Sequence, residues 1–147
     1  MEWLNQLKKK EKRGIIFNMA IEWKELFKVR LAKFEESMDK HDIIKILLVR
    51  KLLRKHRKHK NFIRIYTEFY ITEGIKCDVY YENLKTKEAY SYEIQKDYSK
   101  EWLKDRAEKY KDWKPYLITT NDWIPINLNK LSDDIYKMSE QLEEYCF

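Results

Sequence analysis

The chain has 147 residues, 44% hydrophobic and 15% aromatic, with only two Gly and two Pro. That suffices for one domain with a real core and argues against wholesale disorder. The formal net charge is +6, and there is neither a Gly-rich phosphate loop nor an apolar run of membrane-spanning length, so P-loop nucleotide hydrolysis, dinucleotide binding and a membrane span have no support.

The opening, MEWLNQLKKKEKRG, lacks the apolar core of a signal peptide. Cys77 and Cys146 have neither CxxC spacing nor His partners at zinc-site intervals, so a reduced, cytoplasmic protein is expected. A Cys77–Cys146 pairing stays open should the fold bring them together. Residues 1–60 carry 18 Lys and Arg against 8 Asp and Glu, whereas residues 61–147 carry 13 against 17. Such asymmetry points to a polyanion held by the N-terminal half, against the plainer reading of a solvated helix face.

In chain order, residues 2–13 are mostly charged and read as a short helix or arm. Ile16 to Glu36 repeats Phe17, Ala20, Ile21, Phe27, Leu31 and Phe34 at helical spacing, which predicts an amphipathic helix. A break at Ser37–Asp42 precedes a second helix over about Lys40–Lys58, with Ile44, Leu47, Leu48, Leu52 and Leu53 on its apolar face. Its end gathers Arg50, Lys51, Arg54, Lys55, Arg57, Lys58 and Lys60. These suit either phosphate contacts or the negative end of the helix dipole.

Phe62–Ile71 alternates as a strand and Gly74 marks a turn. Ile75–Lys96 reads as two strands around the polar loop Asn83–Glu88, and antiparallel pairing would set Asp78 beside Glu93 on one face. Two carboxylates held so close repel one another unless a cation intervenes, and a hard divalent ion with oxygen ligands meets that need. Taken singly, Asp78 also reads as a surface turn residue and Glu93 as half of a cross-strand ion pair. Ser99 caps a helix to about Trp113 with Leu103, Ala107 and Tyr110 inward, and Pro115 ends it. Tyr116–Thr120 reads as a strand after that crossover, and Pro125 keeps the extended Trp123–Ile126 out of a central strand. Leu131–Tyr145 closes the chain as a helix through Ile135, Met138 and Leu142.

The expected fold class is therefore mixed α/β (α+β): a four-stranded mixed sheet in the order α-β-β-β-α-β, flanked by helices. Residues 1–147 form a single domain, with a helical extension over 1–38, a core over 40–120 and an extended segment and helix over 121–147. This order resembles the PD-(D/E)XK nuclease superfamily with its restriction-endonuclease-like core. It matches Asp78 on the second strand and Glu93-Ile94-Gln95 on the third, Gln95 standing where most members have Lys. Competence-protein-like and RecB-like members share the E-x-Q, with Ser99, Arg106 and Tyr110 following it, His41 and Lys45 one turn apart on the first core helix, and Glu68 on the first strand. Cys77 stands where a Pro often precedes the Asp.

The resemblance implies a DNA nuclease of little sequence specificity using Mg²⁺ or Mn²⁺. Asp78, Glu93 and the Ile94 backbone carbonyl would hold the metal, and Gln95 would orient the attacking water. Glu68, His41, Lys45 and Arg106 would be accessory, with Glu68 a further ligand or a group behind one. For a lone His a capping role competes with His41's part in the site. Arg50, Arg54, Lys55, Arg57, Lys58 and Lys60 are the expected DNA contacts, no membrane partner is expected, and a homodimer through the N-terminal helices is open. The other readings are a nuclease-fold DNA-binding or regulatory protein of a mobile element or virus without turnover, and a basic helical DNA-binding protein of another fold.

Overall fold

The computed structural model describes residues 39–72, 74–113 and 115–147. The amphipathic helix expected over 16–36, and the dimer contact assigned to it, lie outside the described residues. Helix α1 spans Asp39–Lys55, and Ile44, Leu48 and Leu52, four residues apart, are fully buried beside Val49 and Leu53. Asp39 and Asp42 in its first turn and Arg54 and Lys55 in its last match the helix dipole at both ends. Burying each of these aliphatic side chains contributes roughly 1.5–3 kcal/mol. The helix stops before the expected Lys58, giving way to a 3-10 turn at Arg57–His59.

Three antiparallel strands follow: β1 (Ile63–Thr72), β2 (Ile75–Asn83) and β3 (Glu88–Gln95). Asn83 sets the β2–β3 turn, its Oδ1 accepting the backbone N–H of Lys85 (2.9 Å) and Thr86 (3.2 Å). Ser99 caps α2 (Lys100–Lys111) as expected, its hydroxyl accepting from the Trp102 N–H. Strand β4 then lies parallel to β3, giving a mixed sheet in the order β1-β2-β3-β4. Asp134 caps α3 (Ile135–Leu142), which buries Met138 and Leu142 but leaves Ile135 exposed, contrary to its expected inward place.

The fourth strand differs from the reading of the sequence. It is Thr120–Asn127 rather than Tyr116–Thr120, so it runs beyond the expected core boundary at 120 and contains Pro125. Pro125 is tolerated because β4 is an edge strand, where a missing ladder donor costs little. The main core lies between one face of the sheet and helices α1 and α3. A second cluster on the other face joins Cys77, Tyr80, Ala89 and Ile118 to Tyr66, Phe69 and Trp113. Cys77 and Cys146 are both buried and free, and they sit in different clusters. No helix among the described residues is long and apolar enough to cross a membrane.

Candidate active site

Glu68 has φ of 49°, a left-handed backbone that a non-glycine residue adopts only when its surroundings compel it. Ile63 and Ile65 before it face the main core, whereas Phe69 and Ile71 after it belong to the second cluster. On β2, Val79 and Tyr81 likewise face the main core and Cys77 the second cluster. The distortion falls between the pairs Thr67↔Val79 and Phe69↔Cys77, and it swings Glu68 and Asp78 towards α1.

Paired strands β2 and β3 end their ladder at Val79↔Tyr92, one step before Asp78 and Glu93. There Asp78 Oδ2 accepts the Ile94 backbone N–H at 2.6 Å, taking the place of a ladder partner. Its Oδ1 lies 3.1 Å from His41 Nε2 on α1, and His41 Nδ1 lies 3.3 Å from Asp42. Burial alone would lower the pKa of His41, but its hydrogen bond to Asp78 and the Asp78 charge, helped by Asp42, raise it above the ordinary 6.5. His41 is thus a partner of the aspartate rather than merely a cap of its own helix.

Glu93 is held from the opposite side. Arg106 Nη2 on α2 lies 2.8 Å from its Oε1, and the Trp123 indole N–H on β4 donates to Oε2 at 2.9 Å. Burial raises the Glu93 pKa and the Asp78 charge adds to it, while Arg106 and Trp123 act against both. The buried Tyr110 hydroxyl faces this carboxylate without closing a hydrogen bond. The two acids therefore share one cleft, one step beyond the last ladder pair of β2 and β3. Their helices grip them from different layers. Ala107, expected inward on α2, is exposed, because the helix turns Arg106 towards Glu93 instead.

The cleft has a volume of about 510 Å³ and is lined by Asp78, Glu93, Ile94, Gln95, His41 and Arg106, with Lys76, Lys96, Tyr70, Gly74 and Leu128 at its borders. Fully buried Lys45 bonds Glu68 and lies 3.5 Å from Asp42. Glu68 also meets Lys76 at 2.7 Å, so two ammonium groups engage this carboxylate, and it serves them rather than the cleft. Lys76 and Trp123 escaped the reading of the sequence. Lys76 looks like any outward strand lysine two residues before Asp78, and Trp123 sits in an extended segment expected, because of Pro125, to stay out of a central strand.

The basic run is elsewhere. Arg54, Lys55, Arg57, Lys58 and Lys60 are exposed at the C-terminal end of α1, and Arg50 is half-buried. Thirteen helical steps separate Arg54 from His41, about 20 Å at the helical rise. Lys51 pairs with Glu143 at 2.6 Å and Lys55 donates to the Cys146 carbonyl, so part of this cluster anchors the chain's last turn.

No family model, no curated protein and no solved structure matches this chain. Among the described residues no three His, Cys, Asp or Glu side chains converge as a metal cage. A magnesium site does not require one, because that ion is held through one or two carboxylates and keeps water and substrate oxygens as its other ligands. Each carboxylate oxygen here has one protein partner, which leaves acceptor capacity. Two hard anionic donors bordering one open cleft fit such an ion.

Proposed function

We propose that this chain is a Mg²⁺- or Mn²⁺-dependent deoxyribonuclease with a restriction-endonuclease-like core. The observation that carries the reading is the convergence of Asp78, Glu93, Ile94 and Gln95 in one cleft where β2 and β3 part. The strand order, with β4 parallel to β3 after a helical crossover, agrees with the core that the resemblance implies. Asp78, Glu93 and the Ile94 carbonyl would hold the ion. When bound, it supplies Lewis-acid charge at the scissile phosphate and acidifies water.

The protein's own groups do the rest. Half-buried Gln95 offers an amide that accepts from and donates to the attacking water, orienting it without adding charge. Positive charge for the phosphate comes from Lys76 and Lys96 at the cleft border instead. Glu68 holds Lys76 charged, since their hydrogen bond raises its pKa. His41 fixes the Asp78 carboxylate, and Arg106 offsets the buried charge of Glu93. DNA binding by Arg54, Arg57, Lys58 and Lys60 belongs to the same reading.

One observation favours a second reading, a DNA-binding protein of this fold without turnover. Arg106 already neutralises Glu93, so the carboxylate does not depend on a metal for its counter-charge. The two readings separate on incubation of linear, circular and single-stranded DNA with Mg²⁺, Mn²⁺ or chelator, alongside Asp78→Ala and Glu93→Ala. Metal-dependent cleavage lost in both variants is expected. Cleavage that survives both substitutions refutes the site, and an inactive wild type that still binds DNA favours the second reading.

A further inference from the structure

Beside the cleft stands a row of aromatic rings, of which Trp123 holds Glu93 while Tyr98 and Trp102 bond neither acid. Tyr98 stacks on Trp102 with centroids 5.3 Å apart and planes 17° from parallel. Trp102 meets Trp123 at 5.7 Å, and Trp123 stacks on Tyr110 at 5.5 Å and 15°. Arg106 joins this row to the cleft, because the guanidinium on Glu93 also lies 5.8 Å from the Trp102 ring. Tyr110 is buried, but Tyr98, Trp102 and Trp123 are only half-buried. Three large rings kept partly in water are not the arrangement that removes most apolar surface.

Charge identifies the occupant. Exposed Lys96 at the cleft border and exposed Lys100 in the first turn of α2 flank Tyr98, and Arg106 lies behind it. Cations alongside partly open π faces suit a phosphodiester strand whose bases are unstacked. A duplex satisfies the cations but hides its base faces within its own stack, leaving the rings unused.

We propose that Tyr98 and Trp102 form a base-stacking platform and that the cleft takes single-stranded DNA, a reading that rests on the nuclease proposal for the same cleft. A base laid on the open side of this pair would place its phosphate towards Lys96 and Arg106, and so lead the strand into the cleft.

Fluorescence anisotropy in chelator tests this without cleavage, using a labelled oligothymidylate and a duplex of equal length. Wild type is expected to bind the single strand more tightly, with quenching of tryptophan emission. Trp102→Ala should weaken single-strand binding on the order of tenfold while changing duplex binding less than about twofold. Trp102→Phe keeps a ring and should retain most of the affinity, which separates stacking from a folding defect. Equal affinity for both DNAs overturns the platform, as does an equal loss on both in Trp102→Ala, or a Trp102→Phe variant of native circular dichroism that binds as poorly as Trp102→Ala. The nuclease reading fails on other evidence, namely cleavage that persists in both Asp78→Ala and Glu93→Ala, so the two are independently refutable.

Discussion

The two ends of α1 carry similar residue types and use them in opposite ways. At the N-terminal end, His41 and Lys45 are buried and each is tied to a carboxylate from the sheet, Asp78 and Glu68. At the C-terminal end, Arg54, Arg57, Lys58 and Lys60 are exposed, and His56 is half-buried against the Tyr81 ring. A cation inside the protein acts on one partner at fixed geometry, whereas cations in water act on a polyanion through summed field. The first end is tied to the sheet; the second, on the proposed reading, meets a DNA backbone.

The sharpest way to break this contrast is at Asp78. Asp78→Ala strands the His41 imidazole and the Ile94 N–H together, and DNA turnover should fall by at least about a hundredfold while DNA affinity in chelator changes little. Turnover assays and anisotropy on the same preparation decide it, and parallel loss of both would erase the distinction between the ends. Next in size is Lys45→Met, which leaves Glu68 with Lys76 alone and should lower stability by about 3 kcal/mol in urea. Replacing Arg54, Arg57, Lys58 and Lys60 together by Gln should leave stability within about 0.5 kcal/mol. It should also reduce the salt slope of DNA binding by up to about 3.6, near 0.9 for each lost phosphate contact. An unchanged slope would return that end to a solvated helix terminus.

The smallest effect concerns pH. His41 has its pKa raised in the fold, so its stabilising contribution is complete below pH 6.5 and is lost as pH rises through the folded value. His56 is shifted the other way, chiefly by burial, so its contribution is present above pH 6.5 and is lost as pH falls towards its lower folded value. Denaturation midpoints across pH 5–8 should therefore lose a falling limb in His41→Gln and a rising limb in His56→Gln. Identical profiles for the two variants would contradict the comparison.

How far the sequence could be read follows from what each signal is made of. Asp78 and Glu93-x-Gln95 were legible because a short polar loop between two β runs constrains which positions meet. The Ser99 cap was legible because a serine opening a helix accepts locally, without tertiary help. The β4 span was not, because Pro125 argues against a strand unless one knows that the strand lies at an edge. The left-handed Glu68 was invisible, since nothing local demands it and only Lys45 and Lys76 make it worth adopting. The inward turn of α2 is not legible at Ala107 because hydrophobic periodicity gives no weight to Arg106, which is drawn inward by a buried carboxylate.

Both margins of the sheet are interrupted, and this bears on how copies of the chain meet. Pro125 removes an amide donor from β4, while β1 carries the Glu68 distortion and a register shift between Tyr70 and Thr72. An incoming strand needs an unbroken row of donors and acceptors, and neither margin offers one. Concentrated protein should therefore resist fibrillar growth by strand addition, and self-association, where it occurs, should be built from helices and loops.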